Sequence, residues 1–195
     1  MIHRFIDVLF PPQCAACNAP GSGLCAYCSP PFDAALHRRL PTLDVFAFAP
    51  YQGAVRQAVL ALKDGRRDVA EALGLRLAGV VPPDAVLVPV PTTAARRRTR
   101  GMDNVAVLAQ ITAARAGVGV VDALQRTGAD AQRGRSREAR LAAVGRFVGD
   151  NARVRGQTVV LFDDVCTTGS TLEDCARAIR VAGGRVEKAV VAALA

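Results

Sequence analysis

Two neighbouring aspartates, Asp163 and Asp164, stand just ahead of Thr167, Thr168, Gly169, Ser170 and Thr171, and these residues carry the most specific chemistry in the chain. Adjacent carboxylates suit a vicinal diol, because each offers oxygens that accept from sugar hydroxyls, and they also bind Mg²⁺ directly or through water. The hydroxyl-rich loop, reached through Val165 and Cys166, opens a helix whose free N–H groups and dipole favour an anion. A 5′-phosphate fits there. Ser170 and Glu173 also satisfy the S-x-x-E capping-box pattern, which is compatible with phosphate binding. Alone, an Asp-Asp pair is most often a solvated turn and Thr-Thr-Gly is common. Their order, after the apolar run VVLF and before an amphipathic helix, makes the signal specific.

A second constellation lies near the start. Cys14, Cys17, Cys25 and Cys28 form C-x2-C-x7-C-x2-C, and each C-x2-C turn brings two sulfurs to one tetrahedral ion. Four thiolates would close the coordination shell of Zn²⁺, leaving no open position, so the metal's role is expected to be structural. The alternatives are two disulfides, which a cytosolic redox poise disfavours, or four unrelated cysteines. His37 is a spare ligand left out of the set. Cys166 and Cys175 read as small packing residues, with no histidine nearby in sequence to activate a thiolate.

The elements that must position these residues show in the hydrophobic pattern. Apolar runs at 45–49, 85–90, 158–162 and 186–193 read as strands, and the near-continuous VLVPV and VVLF suit strands buried on both faces. Between them, Val55/Val59/Leu62, Val69/Leu73/Leu77, Val105/Leu108/Ala109/Thr112 and Leu172/Cys175/Ala176/Ile179 keep helical spacing. That alternation predicts an α/β fold with a mainly parallel sheet flanked by helices. The acidic pair then falls at the carboxyl end of the strand 158–162, where open α/β sheets bind ligands. Ile2, Phe5, Ile6 and Leu9 predict a short helix that Pro11 and Pro12 stop. The boundary is placed near Pro41, giving a small N-terminal module over 1–42 and the main domain over 43–195.

With 195 residues, 51% hydrophobic and 22% charged, the chain reads as a folded domain with an appendage. The net charge of +8 favours an anionic partner such as a polyphosphate, a nucleic acid or anionic lipid. No apolar run approaches the about 18 residues of a membrane span, and Arg4 and Asp7 interrupt the only signal-like opening. A cytoplasmic protein is expected.

The segment VVLFDDVCTTGST resembles the PRPP (phosphoribosyl diphosphate) fingerprint of type I phosphoribosyltransferases. In that superfamily two acidic residues hold the ribose hydroxyls and the threonine-rich loop holds the 5′-phosphate. Nearly the whole chain resembles the ComF family of competence-associated phosphoribosyltransferase-like proteins. The likeness rests on LFPPQCAAC, the four cysteines, Tyr51-x-Gly53 leading to Leu62-Lys63, Val88-Pro89-Val90-Pro91, Arg100-Gly101, and Gln132, Arg140 and Phe147. The resemblance implies a type I phosphoribosyltransferase-like fold with PRPP bound by residues 163–171, Mg²⁺ accompanying it, and a basic loop meeting the diphosphate. In that loop Arg96 and Arg100 are the candidates, each equally readable as a solvated arginine. Where the family has R-G-F-N-Q, this chain has Arg100-Gly101-Met102-Asp103-Asn104, and the Asn expected soon after Arg140 is replaced near Ala143. Both changes bear on the acceptor side. Asp103 is expected to turn toward the loop arginines, and Lys63 reads equally as a ligand of the hood over the site and as a surface lysine.

Three functions fit. A phosphoribosyltransferase would hold the ribose on Asp163 and Asp164 while magnesium and the basic loop neutralise the leaving diphosphate. A regulator would bind PRPP or a nucleotide without turnover. A nucleic-acid-binding accessory of the DNA-uptake (competence) machinery would use the arginine clusters at 96–100 and 133–140, although the clusters lack interleaved aromatics. A homo-oligomer is compatible with each.

Overall fold

The computed structural model describes residues 11–29, 36–92, 103–127 and 146–195. The expected helix at 2–9, Arg96 and Arg100, and the stretch with Gln132, Arg140 and Ala143 lie outside the described residues.

In chain order the described elements are β1 (Leu36–Arg39), β2 (Asp44–Pro50), α1 (Gly53–Lys63), α2 (Arg67–Leu77), β3 (Val86–Pro89), α3 (Asn104–Ala116), β4 (Gly119–Val120), β5 (Leu124–Arg126), β6 (Phe147–Gly149), α4 (Asn151–Val154), β7 (Thr158–Cys166), α5 (Ser170–Val181) and β8 (Arg185–Leu194). Six strands form one sheet in the order β1-β2-β8-β7-β3-β4, and β5 pairs with β6. All neighbours in the large sheet run parallel except β1 on β2. This is the expected α/β architecture, a mainly parallel sheet flanked by helices.

Strict alternation along β7 divides the core. Val160 and Phe162 face one side, where α1, α2 and α3 supply Val59, Leu62, Leu73 and Leu108. Val159 and Leu161 face the other, against Leu172, Cys175 and Ile179 of α5 and Phe147 of β6. Burial on both faces is why the VVLF run shows no polar position, as central parallel strands require.

Strand β1 was not legible, because LHRR has no apolar run. It lies at the sheet edge, where charged residues are tolerated and discourage pairing with other chains. It also precedes residue 43, so the sheet reaches back across the position expected to separate the two units.

The cysteine segment packs on the face that holds α2. Cys14 and Leu24 are buried in that core, and the Arg66 guanidinium donates to the Gln13 carbonyl. A Cβ on Gly23 would stand 2.4 Å from the backbone of Asp68 and Val69, and backbone cannot yield as a side chain can. Gly23→Ala is therefore expected to undock the segment. Amide hydrogen exchange in 11–29 should accelerate while β7 and β8 keep their protection, and unchanged exchange in both would refute the close fit.

Candidate functional site

The chain leaves β3 toward α3 and β4 on one side and leaves β7 toward α5 and β8 on the other, with α3 and α5 on opposite faces of the sheet. Between β3 and β7 the connections diverge, and such a switch point opens a crevice at the carboxyl ends of the strands. The β3–β7 pairing ends with Pro89 opposite Phe162, and the Val90 N–H gives a last bond to the Phe162 carbonyl at 2.8 Å. Strand β7 continues to Cys166 with β8 as its partner, pairing Asp163 with Val191 and Val165 with Ala193. The expected strand end at Phe162 is thus corrected. Asp163 and Asp164 sit inside a strand whose other edge has been released, and a cavity of about 420 Å³ opens there, lined among others by Lys63, Thr92, Arg126, Asp163, Asp164 and Thr171.

Within the strand, the Asp164 N–H donates to Asp163 Oδ1 at 2.8 Å. Burial first, and then repulsion from Asp164, push the Asp163 carboxyl up to about 8, against a smaller lowering by Lys63. Lys63 Nζ lies 3.3 Å from Asp164 Oδ2. Its position is set by α3, because Asn104 Nδ2 donates to the Lys63 carbonyl at 2.8 Å. Lys63 is thus paired and half-buried at the cavity wall.

Past Cys166 the loop turns into α5. Gly169 caps the helix at φ 82°, a left-handed conformation that glycine adopts without strain, and Leu40 covers the place where a Cβ would stand. Ser170 N donates to Thr168 Oγ1 at 3.4 Å. Thr167 and Thr171 line the cavity, and the first-turn N–H groups of α5 supply the positive end of a helix dipole. The capping box is not formed. Gly169 takes the cap position, and both carboxylate oxygens of Glu173 instead accept from Thr42, from its N–H at 3.0 Å and from its hydroxyl.

Edge strand β1 braces the same loop. Arg38 donates to the Thr167 carbonyl and, at 2.8 Å, to that of Ala195. Arg146 adds a cation on the outer side, 3.3 Å from Ser170 Oγ and 2.6 Å from Asp174. Arg126 gives its Nε–H to the Pro91 carbonyl at 3.2 Å and lies 4.8 Å over the Phe147 ring. None of these three arginines was singled out from the sequence, in which an isolated arginine among many carries no signal.

Asp103 has a further role, and the loop arginines it was expected to face lie outside the described residues. Its carboxylate accepts from Ala106 N at 3.3 Å, capping α3, and from the Thr92 hydroxyl at 3.1 Å. Cys166 and Cys175 are buried, and burial is the leading cause that raises both thiols, so they stay protonated packing groups. His37 stacks on Phe46 and contacts Asp44, apart from the other cysteines.

The Sγ atoms of Cys14, Cys17, Cys25 and Cys28 all lie within 4.8 Å of one another, with Cys17 and Cys25 at 3.6 Å. Sulfurs around zinc, at Zn–S of about 2.3 Å, stand about 3.8 Å apart in a tetrahedron, so the donor set fits a metal ion. For Cys14, burial acts upward but N–H donors from Cys25, Cys17 and Ala16 outweigh it and bring the thiol to about 6. Hydrogen bonding with Cys17 first, with burial and the remaining cysteines, drives Cys28 up to about 12. Four thiols this close cannot all ionise without a cation among them.

The raised Asp163 carboxyl has a consequence for stability. Its folded value exceeds the unfolded one, so between about 4 and about 8 the folded state holds the extra proton and stability falls as pH rises. Asp163→Asn removes that loss. In metal-free buffer the variant should melt higher than the parent at pH 8 and match it near pH 4, and a pH-independent difference would contradict the assignment.

Residues 100–194 match the family model of the phosphoribosyl transferase domain. A solved structure of the allosteric regulatory enzyme of purine biosynthesis is similar at 21% identity and a TM-score of 0.45, over 63% of this chain and 26% of that one. This chain thus spans about a quarter of that protein's length. No curated protein matches. From residue 100 onward, then, the sequence that builds β7, the loop after it and α5 is similar to a phosphoribosyl transferase domain.

Proposed function

We infer that the chain binds PRPP in the β3–β7 crevice and transfers ribose 5-phosphate to an acceptor, releasing diphosphate. The observation that carries this reading is one cavity lined by both the acidic pair and the two ends of the loop, Thr167 and Thr171. A ribose 5-phosphate unit needs those two functions side by side. Asp163 and Asp164 would accept from the ribose hydroxyls, while the hydroxyls of residues 167–171, the backbone through Val165, Cys166 and Gly169, and the amides of α5 would hold the phosphate. The side chain of Cys166 is buried, so any contribution from it is through its backbone. Arg96 and Arg100 would meet the diphosphate.

Two carboxylates at the cavity wall fit Mg²⁺, which would supply charge neutralisation for the departing diphosphate. The chain's own contribution is positioning and a fixed negative field where positive charge grows at the anomeric carbon. The four cysteines would hold a structural Zn²⁺. With that module beside a phosphoribosyl transferase domain, we place the protein in the ComF family, acting in the cytoplasm.

Calorimetric titration with PRPP and Mg²⁺ is the direct test. The parent should bind, and Asp163→Asn combined with Asp164→Asn should lose binding while keeping its circular dichroism spectrum. Undiminished binding would remove the assignment. Diphosphate release with a panel of bases and amines separates transfer from the regulatory alternative, since saturable binding with no release across the panel favours the regulator. Chelation of the metal should raise hydrogen exchange in 11–29 well above that in the sheet, and equal exchange would argue against a structural ion.

A further inference from the structure

We propose that Lys63 is a counter-ion that changes partners: it holds Asp164 in the free chain and passes to the diphosphate when a ribose takes the carboxylates. The proposal rests on the PRPP reading and assigns the residue that discriminates PRPP from ribose 5-phosphate in that site.

The base and the tip of this side chain are held differently. Lys63 is the last residue of α1, and its carbonyl is fixed by Asn104, itself 8% exposed. Its ammonium is held by Asp164 at 3.3 Å and stands 6.0 Å from the centre of the Tyr51 ring. The pair is partly open to the cavity, with side-chain exposures of 26% and 19%. A contact of this kind is strong enough to order the lysine and weak enough for a ligand to replace.

Topology then gives the direction of the exchange. Helix α1 packs on the sheet face opposite α5, so Lys63 and the phosphate-type loop flank the acidic pair from opposite sides. A ligand with its 5′-phosphate on the loop and its diol on the carboxylates presents its far end toward Lys63. That end is the anomeric substituent, a diphosphate in PRPP and a bare hydroxyl in ribose 5-phosphate. A sugar hydroxyl or cation at Asp164 competes with the ammonium for the carboxylate's charge and lone pairs, so ribose binding loosens the lysine. A diphosphate then provides a new anion within reach of a flexible four-carbon stem.

Two measurements test this on the full chain. In Lys63→Met, titration with Mg²⁺ should show PRPP weakened by about tenfold or more, the scale of one charge-assisted contact. Ribose 5-phosphate should bind as well as before or more tightly, because its competitor for Asp164 is gone. Equal weakening for both ligands, or no change for either, would overturn the proposal. Lys63→Arg, which keeps the charge, should preserve most of the preference for PRPP.

The second measurement needs no variant. Lys63 and Lys188 are the two lysines of the chain, and Lys188 is engaged with the Val80 carbonyl and the Phe46 ring. Acylation followed by mass spectrometry therefore reads Lys63 against an internal reference. Ribose 5-phosphate with Mg²⁺ should increase Lys63 labelling and PRPP with Mg²⁺ should decrease it, while equal effects or none would refute the exchange. Failure of the PRPP reading itself looks different, since the parent would then bind neither ligand.

Discussion

Two carboxylates side by side in the middle of a sheet are electrostatically costly, and much of the structure can be understood as the means of holding them there. Strand β7 carries Asp163 and Asp164 while still bonded to β8, which denies the pair the freedom of a loop. Burial and mutual repulsion raise the Asp163 carboxyl, and Lys63 offsets the charge of Asp164. The stability that sustains this arrangement comes from the same strand. Val159, Val160, Leu161 and Phe162 are fully buried immediately before it, so the cost is borne where the packing is densest. Destabilised acidic pairs of this kind mark ligand sites more often than structural ones, because a sugar or cation supplies what the fold withholds.

Most of the scaffold was legible because burial on two faces leaves a plain trace. The strand expectations at 45–49, 85–90 and 186–193 agree with β2, β3 and β8 to within one residue at each end, and the four helical stripes lie on α1, α2, α3 and α5. The strand at 158–162 was read too short for a definite reason. Hydropathy stops at Phe162 because the next two residues are charged, whereas backbone pairing with β8 does not depend on side-chain polarity. Pattern reading located the chemistry and misplaced the backbone under it by several residues.

What sequence could not show is the wiring between distant segments. Glu173 satisfied a local capping rule, yet Thr42 arrives from the other end of the chain with two donors and wins the carboxylate. Asp103 was read through its charge alone, and its capping of α3 was not foreseen. Arg38 lies on an edge strand with no hydrophobic signature and Leu40 just after it, and they fix the Thr167 carbonyl and cover Gly169. In each case a partner more than ten positions away, or an N–H that only a formed helix exposes, decides the role of the side chain.

Those connections also bear on how the site divides along the chain. The segment similar to a phosphoribosyl transferase domain, 100–194, contains the acidic pair and the loop. Lys63, Arg38, Leu40 and Tyr51 lie outside it, yet each touches the site or lines its cavity. On the proposed reading residues 163–171 would meet the ribose 5-phosphate unit, while the earlier half of the chain sets what stands opposite them. The Asp103-Asn104 pair links the two halves: Asp103 caps α3 against Thr92, and Asn104 fixes the carbonyl of Lys63. The residue types at these two positions therefore act on the geometry of the cavity wall, and through Lys63 they reach the carboxylates themselves.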